Sequence, residues 1–432
     1  MVNFNIYIQS AYPMTPKPKL GVEIAAGITT FLTMAYIIFV NSDILSATGM
    51  DKTGLIAATC IAAAFASLLT GLVAKSPIAM APGMGLNAFF AYSIVLGDKI
   101  EWQTALGIVF ISGLFFLLIT LVGLRKKIVE ATPVSLVYAI SVGIGLFIAF
   151  IGLVNMGLVV NSDATLVEIG TFTPQVLIGL TALLLIIVLD IYNIKGAILF
   201  GIAFATISGI VIGEVTLPET AFSLDFNLNE VAFKLNIIDA LQFSFIGAIF
   251  SLMFTDMFDS IGTIIACKSE TNEIDKNGKI IGLDKILSVD ALATMAGALF
   301  GTSTTTAYVE STTGIRQGGR TGVVSLTVAV LFLLALPIIP LIAIVPSYAT
   351  APALIFVGLY MVKNISKINL ESIETAFPAF VTIIMIPFTY SISTGIALGF
   401  LSYILVNVIK GQFKNIKPTL WVIGVLCVLF FV

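Results

Sequence analysis

Histidine is absent from the 432-residue chain, and cysteine and tryptophan are scarce, at three and two residues. Without histidine the chain lacks the commonest metal ligand and the usual near-neutral proton carrier, so any proton chemistry must run through carboxylates. Cys60, Cys267 and Cys427 are scattered without CxxC spacing. They read as small buried apolar side chains, and neither a disulfide, a metal site nor a cofactor is expected. Charge is also scarce: 10% of the residues are Asp, Glu, Lys or Arg, against about 25% in soluble domains. The net charge of −3 comes with no basic stripe, which argues against a nucleic-acid partner. The N-terminus "MVNFNIYIQSAYPMTPKPKLG" has no basic start before a short apolar core, so it does not read as a cleaved signal peptide.

What the chain does have is apolar length. It is 58% hydrophobic with a mean hydropathy of +1.09. Apolar stretches recur that could each cross a hydrocarbon core of roughly 30 Å. In lipid the backbone must satisfy its own hydrogen bonds, so such runs mean helices. The expected fold is an all-α polytopic membrane protein embedded in lipid. Fourteen spans are read, at about 22–42, 53–74, 78–96, 103–123, 134–152, 174–190, 196–213, 239–264, 286–300, 303–316, 321–345, 348–362, 374–390 and 392–410. With both termini cytoplasmic, 18 of the 21 Lys and Arg fall in inside segments, and Lys52, Lys99 and Lys234 are the exceptions. One misplaced span would invert every later loop and destroy that bias. The tail "PTLWVIGVLCVLFF" is short for a full span and reads as a helix lying at the interface or against the bundle.

Fourteen spans divide into seven plus seven, and an odd number per half gives the halves opposite orientations. Inverted repeats of this kind build sites from broken helices near the membrane midplane. Irregular segments do occupy matching places. The third span opens "KSPIAMAPGMGLNAFFAY", with Pro77, Pro82, Gly83 and Gly85. Its counterpart, the tenth, is "GTSTTTAYVESTTGIRQGGRTG" (301–322), with nine Ser or Thr, five Gly and one acid. Proline interrupts a helix and β-branched residues favour extended backbone. Each segment is therefore expected to run extended and then start a half-helix, near 83 and near Val309. Paired half-helix N-termini would present N–H donors to a ligand.

A charged side chain at mid-bilayer costs roughly 2.5–3.5 kcal/mol on insertion scales, so intramembrane acids are functional candidates. Asp256 and Asp259 stand past the middle of the eighth span, and Glu310 opens the tenth-span half-helix. Their i, i+3 spacing puts the two aspartates on one helix face. Two carboxylates that close in a low dielectric do not both ionise easily, so at least one should hold a proton. Asp43 and the other loop acids read as solvated outer residues, and Arg316 and Arg320 as interfacial anchors. Asn87 offers donors and an acceptor, while Phe89, Phe90 and Tyr92 offer an apolar wall. This chemistry suits a small, uncharged, planar heterocycle, and a dianion would be repelled.

At "TTFLTMAYIIFVN", "APGMGLNAFFAY", "FTDMFDSIGT" and "GTSTTTAYVESTTGIRQGGRTG" the sequence resembles the adenine/guanine/hypoxanthine permease branch of the nucleobase–ascorbate (nucleobase:cation symporter-2) transporter superfamily. The resemblance implies a cytoplasmic segment 1–21, a core domain of spans 1–4 and 8–11 (22–130 and 239–345), a gate domain of spans 5–7 and 12–14 (131–238 and 346–410), and a tail 411–432. It implies a cell-membrane importer of hypoxanthine, guanine or adenine, not an enzyme, working by elevator-like motion, often as a homodimer through the gate. Substrate-binding candidates are Asp256, Asp259, Glu310 and Asn87, with Gly83, Gly85, Phe89 and Tyr308 completing the pocket. Proton coupling would fall to Asp256, Asp259 or Glu310, with H⁺ the expected coupling ion and Na⁺ left open. Whether Asp256 or Asp259 is the direct ligand also stays open. The rivals are a same-fold small-anion transporter of sulfate type, which Glu310 argues against, and an intramembrane enzyme using the Asp256/Asp259 pair.

Overall fold

A computed structural model describes residues 19–271, 273, 280, 282–429 and 431. The expected cytoplasmic residues 1–18, including Lys17, and the loop lysines Lys276 and Lys279 lie outside the described residues. The chain folds as a helical membrane protein. Among the described residues nine helical stretches are long and apolar enough to span a bilayer, and four shorter apolar helices accompany them.

The first apolar run is two helices, α1 (Leu20–Met34) and α2 (Ile37–Ser46), interrupted at Ala35–Tyr36. Sequence reading took it as continuous. Helix α3 (Lys52–Leu69) is capped by Asp51, whose carboxylate accepts from the Gly54 N–H at 2.6 Å. The chain then turns into strand β1 (Met80–Pro82) and the short helix α4 (Met84–Ala88), which continues with wider π winding over Phe89–Gly97. Next come α5 (Trp102–Leu121), the charged α6 (Leu124–Ala131) and α7 (Val134–Asn155). A hairpin of β2 (Val159–Ser162) and β3 (Leu166–Ile169) follows, so the chain is not wholly α. Helices α8 (Pro174–Ile191) and α9 (Ala197–Val211) complete this half.

The second half begins with the isolated turn α10 (Ile237–Ala240), and the long helix α11 runs from Ile246 to Glu270. The expected span 239–264 is thus displaced by almost two turns, which moves Asp256 and Asp259 to the centre of the helix. Helix α12 (Leu283–Phe300) leads into β4 (Thr305–Ala307) and α13 (Ser311–Arg316). Helices α14 (Gly322–Leu334) and α15 (Ile339–Ala343) are separated by a tight turn holding Pro337. Then follow α16 (Ser347–Val362), α17 (Ile373–Phe388), α18 (Ile392–Ile409) and α19 (Pro418–Leu429), which packs on α18.

Two packing groups result. Helices α1–α5 and α11–α14 contact one another, as do α7–α9 and α16–α18. Each group holds a backbone-to-backbone crossing that only glycine permits, the close-packing device of membrane helices. A Cβ at Gly322 would stand 2.1 Å from Gly71 O, and one at Gly358 would stand 2.5 Å from Gly145 O. Between the groups, α2 meets α16, α4 meets α7, and α11 meets α18, where Phe254 and Phe400 stack edge-to-face at 5.1 Å.

Candidate functional site

The two interrupted segments meet. Strands β1 and β4 pair antiparallel, with Met80 opposite Ala307, Ala81 opposite Thr306 and Pro82 opposite Thr305. Two further backbone bonds close the pair, Gly83 N–H to Thr304 O (2.9 Å) and Tyr308 N–H to Ala79 O (3.0 Å). The short helices begin at Met84 and Ser311, within two residues of the expected starts. Thr302–Thr306 are buried at 0–2% exposure. Their polarity is therefore tolerated because protein, not lipid, surrounds it. Thr302 Oγ1 accepts from Asn41 Nδ2 (2.9 Å) and the Ser303 hydroxyl donates to Asn87 Oδ1.

The three expected acids separate into two environments. Asp259 is exposed, although it sits at the middle of α11. Nothing lies within 4 Å of where a Cβ at Gly262, one turn further on, would sit. Glu310 is half-buried at the N-cap of α13. Each of these two carboxylates has one oxygen held by a hydroxyl. Tyr36 donates to Glu310 Oε1 at 2.6 Å, and Thr306 Oγ1 lies 3.3 Å from Asp259 Oδ2. Asp259 Oδ1 has no protein donor among the described residues, whereas the Glu310 carboxylate is also approached by its own backbone N–H. Asp259 and Glu310 are near enough for their charges to act on each other.

Asp256 is different. It is 1% exposed and turned toward α12, where Thr294 Oγ1 lies 3.0 Å from its Oδ2. The shared i, i+3 face therefore does not give the two aspartates a shared site, because α12 covers only the first. Burial corrects other expectations. Phe89 (1%) is enclosed in the main apolar cluster and presents no face to the opening. Asn87 is fully buried. The Gly83 and Tyr308 amides are already spent on strand pairing. A Cβ at Gly83 would meet Thr306 Cγ2 at 2.5 Å and one at Gly85 would meet Ile144 Cγ2 at 2.7 Å, so both glycines serve close packing. Tyr308 is buried, and its hydroxyl donates to Pro82 O at 2.6 Å. Arg316 is not a lone anchor: it makes two bonds to Glu270 Oε1, at 3.1 and 2.6 Å. Arg320 Nη1 donates to Gly319 O at 2.7 Å.

Sequence reasoning missed Tyr36, Thr306 and the buried Asp290 of α12. Tyr36 was legible as a lone phenol in an apolar span. Only the break at Ala35–Tyr36 and the fold of β4 bring it to Glu310. Asp43 was read as solvated, yet it is buried and its Oδ2 accepts from Thr350 Oγ1 at 2.7 Å. Nearby, Lys52 Nζ donates to Val345 O (2.8 Å) and Ser93 Oγ to Tyr390 O (2.6 Å). Asp43–Thr350 and Ser93–Tyr390 bind the two packing groups at the end away from Glu270 and Arg316.

Paired broken helices, an accessible acid at mid-helix and two helix groups that meet face to face define a multi-pass membrane transporter of the permease class. The chain belongs to the Permease family that its residues 21–398 match. It is 42% identical over 405 residues to the adenine permease AdeQ of Escherichia coli K12, covering 94% of this chain and 91% of that one. To the guanine/hypoxanthine permease PbuO of Bacillus subtilis 168 it is 40% identical over 422 residues, covering 95% and 96%. In fold it is similar to the transmembrane domain of a cyanobacterial bicarbonate transporter, BicA, with a TM-score of 0.67, 17% identity and 88% and 97% coverage. It is also similar to the murine anion transporter Slc26a9, at a TM-score of 0.65, 11% identity and 94% and 74% coverage.

Proposed function

We propose that this protein imports purine nucleobases (hypoxanthine, guanine or adenine) across the cell membrane, by proton symport. The carrying observation is the pair Asp259–Glu310, two neighbouring carboxylates each with one oxygen fixed by a hydroxyl. A neutral heterocycle with two N–H groups can donate to both carboxylates, and such charge-assisted bonds are the strong ones. The Val309 N–H, which meets no acceptor among the described residues, stands beside Glu310 for a ring nitrogen or carbonyl. The relatives named as adenine and guanine/hypoxanthine permeases support the same substrate class.

The topology in this reading is fourteen spans in a seven-plus-seven inverted repeat, with both termini cytoplasmic. The group of α1–α5 and α11–α14 is the moving core and the other group the gate, through which two copies pair as a dimer in the membrane. The contacts at Asp43–Thr350 and Ser93–Tyr390 then close the outer side, while Asp259 opens inward. Alternating access requires base and proton to bind the two states with different affinity.

The likeness to bicarbonate and anion transporters favours an anion as the second reading. Two carboxylates without a neighbouring cation among the described residues oppose it. The test is uptake of labelled hypoxanthine, guanine, adenine, xanthine and uracil into cells lacking their own permeases, with and without a protonophore. Purine uptake lost in Glu310→Gln and on adding the protonophore is expected. Absence of any base uptake by protein verified in the membrane would return the anion reading.

A further inference from the structure

Behind the accessible acids lies a second carboxylate pair that substrate cannot reach. Asp290 of α12 is fully buried, and neither of its carboxylate oxygens has a hydrogen-bond partner of good geometry, the Ser260 hydroxyl of α11 being the one side-chain donor close enough to act on it among the described residues. Asp256 of α11 is 1% exposed, its Oδ1 likewise has no partner, and its charge and that of Asp290 act on each other. The hydroxyls of Thr255, Thr304 and Thr305 are also buried without partners.

Among the described residues nothing cationic faces the pair. Helices α5, α7 and α18 and strands β1 and β4 carry no charged residue, and the titratable side chains among them are Tyr138 and Tyr403. Helix α3 carries Lys52 at its far end, where it bonds Val345 O, and Cys60 within. Helix α13 offers only Arg316, paired with Glu270 at its tip, and Glu310 before it is held by Tyr36. On α11 itself Lys268 is paired with Glu273, and Asp259 is the next acid. On α12, Asp284 and Lys285 stand in the first turn, and Asp284 is bound to Arg125. Two buried anions with no counter-ion cannot both persist in such a place, and a proton between them removes the conflict.

Thr294 supplies the second argument. Its Oγ1 lies 3.0 Å from Asp256 Oδ2 and 3.0 Å from Thr305 O. Both are acceptors if Asp256 is ionised, and a hydroxyl has one proton to give. With a proton on Asp256 Oδ2 the chain closes in one direction: Asp256 O–H donates to Thr294, and Thr294 O–H donates to Thr305 O. Without it, Thr294 must choose, and Thr305 O loses its side-chain donor whenever Asp256 wins. Thr305 is in β4, and its neighbour Thr306 contacts Asp259.

We propose that Asp256 and Asp290 share one exchangeable proton and form the coupling site, apart from the base site, with Thr294 reporting its occupancy to β4. Asp290 is thereby a proton-holding residue, and Thr294 a positioning residue. This rests on the transport reading above, so the test has one readout that needs no transport.

Difference infrared spectra of the purified full chain between acid and alkaline pH are expected to show a buried carboxyl C=O band that Asp290→Asn lacks and Asp290→Glu keeps. In proteoliposomes, the ratio of pH-gradient-driven base accumulation to base exchange without a gradient should fall about tenfold or more in Asp290→Asn, a coupling of ordinary size. It should fall less in Thr294→Val, which retains the band. Should Asp290→Asn not be recovered folded, Asp256→Asn and Thr294→Val make the same comparison. An unchanged band, or an unchanged ratio, overturns the proposal. So does accumulation that follows a sodium gradient instead, with that dependence lost in Asp290→Asn. Wild-type vesicles that exchange no base would sink the purine reading, and the infrared band would still decide the pair.

Discussion

The two interrupted spans share a frame and differ in chemistry. Each has a three-residue strand followed by a short helix, and the strands pair antiparallel. The first carries no charge. Its Asn87 is sealed against Ser303, and its glycines admit Thr306 and Ile144. The second carries Glu310 at its helix cap, half-open and held by a phenol. In the transport reading proposed above, one segment supplies rigid backing and the other the ligand-facing acid. Two paired broken segments need not carry like residues at like positions, because close packing is what the pairing demands of both strands.

That asymmetry can be broken most directly at the acid. Glu310→Gln keeps the shape and removes the charge, and a charged hydrogen bond is worth about 1.5–3 kcal/mol, so transport efficiency should fall roughly 10- to 100-fold. Asn87→Ala, at the sealed counterpart, should weaken uptake by less than about tenfold, since only its neutral bond with Ser303 is lost. Labelled-base uptake at matched surface expression measures both, and a larger effect at Asn87 would reverse the assignment of roles.

Tyr36→Phe tests the support of the acid. Losing the hydroxyl leaves Glu310 Oε1 without its donor, and a rise in KM of about tenfold follows from the lower end of the same range. A kcat loss at constant KM would instead make Tyr36 part of the moving step.

Gly83→Ala tests the backing. The new methyl would meet Thr306 Cγ2 at 2.5 Å, and overpacking of that kind typically costs about 1–3 kcal/mol. The double change Gly83→Ala/Thr306→Ser removes the offending methyl and keeps the hydroxyl that faces Asp259. Thermal unfolding in detergent should show most of the loss restored, and independent, additive effects would contradict the contact. The smallest effect is expected at the closed end. Thr350→Val removes one hydrogen bond to Asp43, worth about 1 kcal/mol or somewhat more. A probe cysteine near Asp259 should then be labelled less readily from the Glu270 side, as the population shifts toward the alternative opening.

Much of this was legible in the chain. Pro82–Gly83 and the Thr run marked where extended backbone gives way to short helix, because each rests on a local preference that tertiary packing here reinforced. Glu310 was legible as an acid where lipid forbids one. The start of α11 was not, since Ala240, Leu241, Phe243 and Phe245 extend its apolar run in the sequence while 239–245 folds as separate turns, with the Asn236 N–H bonded to Gln103 O. Asp290 was passed over because one acid in an apolar helix near a polar loop looks like any helix-end acid until α11 is laid against it. Asp43 was misread for the same reason, its partner Thr350 lying 307 residues away.

The sequence alone determined that the protein lives in a membrane, that any proton chemistry it performs belongs to carboxylates, and that two segments are irregular, because hydropathy, the absence of histidine and backbone preference are all local properties. Which acids stand open and which are sealed was decided only by the packing of α11 between α12 and β4. Adjacent positions on one helix face differ in burial according to what another part of the chain lays over them, and no spacing within α11 records that.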